Sequence, residues 1–169
     1  MINTYQLFAV TMIHGKFVVP LDLHKKILNF VEEKYIEKER EVSCVKGCQI
    51  HNDFDGKKEL DKELNIFLNN NLRLDIEHAW LNILGKDSYN VPHRHFGDMV
   101  DYTGVLYLSV ENSPITFVKD DYIHEIKPKL FEYLIFPADL VHYVLPAEKN
   151  KKRISYSFNL KKIGGENVK

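Results

Sequence analysis

At 169 residues, 44% of them apolar, the chain is long enough for one domain with a sizeable core. Its net charge of −1 implies no whole-protein attraction to nucleic acid. No stretch reaches the ~18–20 apolar residues that a membrane span needs. Positive charge is mostly lysine: the only arginines are Arg40, Arg73, Arg94 and Arg153. No basic segment followed by a long apolar run opens the chain, so a soluble, cytoplasmic protein is the expectation.

Residues 1–71 read as N-terminal strands and supporting helices. Leu7, Ala9, Thr11 and Ile13 alternate with Phe8, Val10 and Met12, and His14-Gly15 offers a turn before Lys16–Val19. Pro20 ends that run, and Asp22 is placed to cap a helix from about Leu23 to Glu39. Ile27, Leu28, Val31 and Tyr35 share a face of it at helical spacing. Residues 41–58 read as a loop holding Cys44 and Cys48, two thiols rather than a metal framework. Asn52–Gly56 lacks the glutamate of a calcium loop. A second helix runs from about Lys58 until Asn69-Asn70-Asn71 stops it.

From Leu72 the texture changes to period two. Leu72, Leu74, Ile76, His78, Trp80 and Asn82 fall on one face of a long strand, followed by a loop over 85–90. Further strands are expected at Gly104–Val110, Ile115–Lys119, Ile123–Lys127, Tyr133–Phe136, His142–Leu145 and Ile154–Leu160. Many short strands after a helical first third predict an α+β protein, mainly β with flanking helices, its core a sandwich or barrel over 72–160. Residues 161–169 form a tail, of which Gly164–Lys169 is expected to fray.

The chemistry concentrates on histidine. His93 and His95, one residue apart on extended backbone, point to the same side, and Pro92 favours extension before them. His142 follows a buried-looking strand that ends in Pro137, and a third imidazole arriving there can close a site for a first-row metal. His14, His24, His51 and His124 have no partner at ligand spacing, and His78 reads as a packed, hydrogen-bonded side chain. Arg153 begins an alternating strand 11 residues after His142. It suits bidentate binding of a carboxylate, with Ser155 on the same face. The plainer alternative is a solvated basic turn of Lys149, Lys151, Lys152 and Arg153.

From Trp80 to Leu160, about half of the chain, the sequence resembles the iron(II)- and 2-oxoglutarate-dependent oxygenases. The resemblance is greatest to the small branch found in marine bacteria and their phages. It rests on Trp80-x-Asn82, Asn90-x-Pro92-His93-x-His95, Gly104-Val105-Leu106-Tyr107-Leu108, Phe136-Pro137-x-x-Leu140-x-His142-x-Val144-x-Pro146 and Arg153-Ile154-Ser155-x-Ser157-Phe158-Asn159. The resemblance implies a double-stranded β-helix (a jelly-roll, cupin-like core) in a single domain. It implies iron held by His93 and His142, and Arg153 on the distal carboxylate of 2-oxoglutarate. Tyr107 and Asn82 are implied as further cosubstrate contacts. The family places a carboxylate where this chain has His95, so the third ligand is either His95 or an oxygen of Asp98 or Asp101. The activity implied is hydroxylation of a C–H bond coupled to decarboxylation of 2-oxoglutarate, with ascorbate as a supporting reductant. The place implied is the cytoplasm, that of the host if the chain is phage-encoded. Two alternatives stand beside it: a non-catalytic cupin-like binding module, and an iron enzyme that uses no 2-oxoglutarate. Tyr89, Phe96, Met99 and Tyr102 are expected to line the entrance to the metal. The substrate, small molecule or protein, and the oligomeric state are not readable.

Overall fold

Residues 2–7, 10–97, 100–110, 113–146 and 151–164 are described by a computed structural model of the protein. Strands β1 (Ile2–Leu7) and β2 (Val10–Lys16) form a hairpin. Helix α1 (Leu21–Lys34), strands β3 (Lys38–Glu41) and β4 (Cys44–Ile50) and helix α2 (Lys57–Leu72) follow. Then come β5 (Leu74–His93), β6 (Tyr102–Ser109), β7 (Ile115–Lys119), β8 (Tyr122–Ile126), β9 (Glu132–Pro137), β10 (Val141–Val144) and β11 (Arg153–Lys162). The strands pair antiparallel in the order β1-β2-β9-β6-β11-β5-β10-β7-β8, and the β3–β4 hairpin joins along β5.

Period two decides how this sheet curls. Ile154, Tyr156, Phe158 and Leu160 of β11 and Ala79, Leu81 and Ile83 of β5 face the helices, where they meet Leu23, Ile27, Val31, Leu60, Leu64 and Leu68. The opposite face forms a second core. It joins Val105, Tyr107, Leu134 and Phe136 from one flank to Ile115, Phe117 and Val144 from the other. Residues so far apart in strand order can meet only if the sheet folds over on itself. β5 makes that possible because its first part pairs with β11 and its end with β10. The inner face of this curl carries the polar residues described below.

Several expectations are corrected. His14-Gly15 is not a turn, since both residues lie within β2 and pair with Asn3 and Ile2 of β1. Gly15 lies within β2, where a Cβ would come within 2.5 Å of the Tyr133 hydroxyl. Helix α1 begins one residue after Pro20 and ends at Lys34, because Tyr35 turns to extended backbone and leads into β3. Asp22 lies in its first turn rather than at the cap. Residues 41–58 are not a loop. They contain β4 and the start of α2, and Lys46 at φ 50° breaks the alternation that would have revealed β4. Cys44 and Cys48 are therefore buried strand residues, both free thiols. Desolvation pushes the Cys44 thiol up to about 12. The Asn69–Asn71 run continues α2, which ends when Arg73 turns left-handed at φ 54°. Asn69 instead binds the chain beyond, donating to Leu74 O at 2.9 Å.

The long strand also differs. Asn159 pairs with His78 but Leu160 pairs with Ile76, so Glu77 is an extra residue in β5. The bulge reverses the faces: Leu74 packs under the helices while Trp80 and Asn82 line the opposite side. Residues 85–90 are likewise strand, accommodated by a second irregularity with Asp87 at φ 61°. Tail residues 165–169 lie outside the described residues.

Gly104 of β6 is a packing requirement. A Cβ there would overlap the buried ring of Phe158 on β11. Gly104→Ala is expected to lower stability by about 1–3 kcal/mol through overpacking, checked by urea unfolding. An unchanged midpoint would refute it.

Candidate metal centre and cosubstrate pocket

His93 ends β5 and faces His142 of β10 across the ladder. His95 follows the strand, and its backbone N–H donates to Ala138 O at 2.8 Å. It is thus held by the turn before β10 rather than by continued strand. One ring nitrogen from each of the three lies within 4.8 Å of the other two. Ring centroids are 4.3 Å apart for His93–His142, 5.4 Å for His95–His142 and 5.5 Å for His93–His95.

The tautomers follow from the surroundings. Nδ1 of His93 lies 2.7 Å from Val91 O, and Nδ1 of His142 lies 2.9 Å from Leu140 O. A carbonyl only accepts, so both Nδ1 atoms carry hydrogen and both Nε2 atoms keep a lone pair. Fixing the second nitrogen in this way orients an imidazole for a metal. Burial holds all three imidazoles neutral. It lowers His93, it lowers His95 to about 4 with help from neighbouring His93, and it lowers His142 well below the ordinary value of 6.5. Three neutral nitrogen donors fit a first-row divalent cation.

Depressed histidines give a definite pH signature. The unfolded chain takes up protons near pH 6.5, whereas the folded metal-free site resists them. Stability is therefore unaffected above that pH and falls as pH drops from 6.5 towards about 4. Metal-free protein should show a falling thermal midpoint over that window, and His95→Gln should make the fall shallower. Parallel pH profiles for the two proteins would exclude this contribution.

Arg153 is 2% exposed, so the solvated basic turn is excluded for this residue; Lys149 lies outside the described residues. Nη1 donates to Ser113 O at 2.6 Å, Nη2 donates to the Tyr107 hydroxyl at 3.4 Å, and the guanidinium lies 5.1 Å from the Tyr107 ring centre. Tyr107, fully buried, thus acts on Arg153. Register places the rest. Ser155 pairs with Tyr107 on one side and with Asn82 on the other, and Asn82 pairs with Gln49. Tyr107, Ser155, Asn82 and Gln49 therefore form one row across four strands. Asn82 donates to Asn90 Oδ1 at 2.9 Å and accepts from Gln49 Nε2 at 3.4 Å. The histidine rings, Arg153, Ser155 and Asn82 line one narrow pocket.

The seven site residues read from sequence are thus brought together: His93, His95, His142, Arg153, Ser155 and Asn82 line the pocket, and Tyr107 stands behind Arg153. Asp101 is engaged elsewhere, its carboxylate accepting from the Lys162 N–H at 2.8 Å. Asp98 and Met99 lie outside the described residues. Among the described residues the cluster able to hold a metal is all histidine. The entrance is lined differently from expectation. Phe96 is exposed under the Arg94 guanidinium, Tyr102 packs towards the helices, and neither these nor Tyr89 lines the pocket. A wider outer cavity, about 880 Å³, is bounded instead by Arg40, Arg94, His51, His78 and Trp80. Ser43 and Gln49, which the sequence reading missed with β4, line both spaces.

No protein-family model and no curated protein sequence matches the chain. Solved structures do. A Pseudomonas putida prolyl-4-hydroxylase aligns over 90% of this chain and 93% of its own with a TM-score of 0.62 at 18% identity. The viral collagen prolyl hydroxylase of Paramecium Bursaria Chlorella virus-1, solved as a 2OG complex, aligns over 89% and 96% with a TM-score of 0.59 at 16% identity. SnoN, a non-heme alpha-ketoglutarate-dependent epimerase from nogalamycin biosynthesis, aligns over 89% and 77% with a TM-score of 0.67 at 11% identity. The protein thus has the double-stranded β-helix fold shared by these enzymes.

Proposed function

We propose that the protein is an iron(II)- and 2-oxoglutarate-dependent oxygenase acting as a hydroxylase. The observation that carries this reading is the union, in one pocket, of three neutral imidazoles and a buried arginine. The chemistry that iron(II) and 2-oxoglutarate supply when bound is oxidative decarboxylation of the oxo acid coupled to hydroxylation of a substrate C–H bond.

The chain's own residues bind, orient and shield. His93, His95 and His142 would hold the metal through nitrogen, with the Val91 and Leu140 carbonyls fixing two of the rings. Three neutral donors leave the metal's charge uncompensated, which favours a dianionic cosubstrate. Arg153 would grip its distal carboxylate and Ser155 would donate to the same group. Phe136 packs its ring edge-on to His142, with centroids 4.8 Å apart, and keeps water from that side. A saturated structural metal site would have no use for Arg153. Among the described residues no helix is long and apolar enough to cross a membrane. We place the reaction in the cytoplasm, in keeping with two free thiols.

Purified protein supplied with iron(II) and ascorbate should bind 2-oxoglutarate and slowly convert it to succinate without any substrate. Absence of both binding and succinate would overturn the proposal. Iron-dependent turnover of a substrate with no succinate formed would favour an iron enzyme of another kind.

A further inference from the structure

The outer cavity has a composition unlike that of the inner pocket. One wall is a set of near-parallel rings. His51 and His78 stack at 9° and 5.4 Å, His51 and Trp80 at 18° and 5.5 Å, and Trp80 and His95 at 28° and 5.8 Å. His51 Nδ1 and His78 Nε2 are 3.1 Å apart, which locks the outer end of the stack. The rim carries Arg40 and Arg94, half of the arginines in the chain. The nearby carboxylate of Glu41 is already held by Lys38 and by the Gln49 backbone N–H.

Gln49 sits where the two spaces meet and is only 6% exposed. Its Nε2 is directed at Ser43 Oγ (3.5 Å) and Asn82 Oδ1 (3.4 Å). Its Oε1 is buried and, among the described residues, has no hydrogen-bond partner.

We infer that this cavity is the site of the molecule to be oxidised and that it takes a small compound with a flat conjugated ring and an anionic group. The ring lies along the Trp80–His51–His78 wall, and Arg40 and Arg94 receive the anion. Flat rings gain from stacking on aromatic faces, and guanidinium recognises carboxylate and phosphate alike. A small molecule is favoured over nucleic acid because the charge is confined to the rim and the whole chain carries −1. The inference rests on the hydroxylase reading for the word oxidised, but the pocket's selectivity can be tested apart from it.

Trp80 is the only tryptophan, so its indole N–H gives a single signal in a nitrogen-correlated NMR spectrum. Labelled protein loaded with zinc and excess 2-oxoglutarate, to fill the inner pocket, would be titrated with four probes. Orotate has ring and carboxylate; uridine 5′-monophosphate has the phosphate instead; uracil lacks the anion; cyclohexanecarboxylate lacks the flat ring. Orotate or the nucleotide should shift the Trp80 signal saturably, and the stronger of the two identifies the anion. Uracil and cyclohexanecarboxylate should bind about tenfold more weakly or not at all. Arg40→Gln, an exposed change that spares the fold, should weaken the binding about fivefold or more. Four probes that leave Trp80 unmoved, or a shift indifferent to Arg40→Gln, would overturn the inference. Failure of 2-oxoglutarate binding in a separate calorimetric titration would sink the hydroxylase reading alone, and the probe shifts would still decide the cavity.

Discussion

Arg153→Ala is expected to weaken 2-oxoglutarate binding by about a hundredfold or more while leaving the metal site able to load. Charge-assisted hydrogen bonds contribute about 1.5–3 kcal/mol each, and a guanidinium can offer a carboxylate two of them; every 1.4 kcal/mol is about tenfold. The residue is buried, so the change also removes donors from Ser113 O and the Tyr107 hydroxyl, and some stability will be lost. The affinity effect is separable from that loss. Cobalt(II) titration followed by visible absorption reports the histidine cluster, which Arg153 does not touch. Arg153→Lys tests the fork: it keeps the charge, loses the paired geometry and should fall between wild type and alanine. Calorimetric binding of 2-oxoglutarate by metal-loaded Arg153→Ala at wild-type strength would remove Arg153 from the cosubstrate site.

His142→Ala should have the largest effect on the metal itself. Removing a partner that merely orients a ligand costs about 10–100-fold in affinity, so losing a buried ligand should cost at least the upper end of that range. His142 is also the most enclosed of the three, packed against Phe136 and across the ladder from His93. Neighbours anchored in two strands cannot close over the gap. His95 stands on irregular backbone beyond β5, and His95→Asp would put an oxygen donor in its place. That variant should retain metal, whereas His142→Ala should not. Cobalt(II) titration of the two proteins checks both statements, and tight binding by His142→Ala would mean that the metal lies elsewhere.

Some of this was legible because it is written in period two. β7, β9, β10 and β11 were readable within a residue or two at most ends, since alternation survives where a strand is regular. The histidine pair, His142 and Arg153 stood out because few residue types suit a cation and a carboxylate. What escaped lies at irregular backbone. Lys46 and Asp87 adopt positive φ, and Glu77 is an extra residue in its strand. Each breaks the alternation on which a strand is recognised. β4 was lost with them, and with β4 went Gln49 and Ser43. The entrance was misplaced for the same reason. Tyr89, Phe96 and Tyr102 are close in sequence to the histidine pair, whereas the cavity is built from strands that the bulges bring alongside. His78, on the same strand as Trp80 and Asn82, was the signal available for it.

The polar row Tyr107–Ser155–Asn82–Gln49 has a consequence for how the protein reaches its native state. Each member comes from a different strand, so the row exists only when three separate strand pairings are all in correct alignment. A slip of one residue between β11 and β5 would turn Ser155 into the greasy layer under the helices and bring Ile154 or Tyr156 into the pocket. The error would strand polar groups without partners and leave the anion cradle unformed. The site therefore works as a built-in checksum on assembly: a chain that can hold its cosubstrate has matched all three seams.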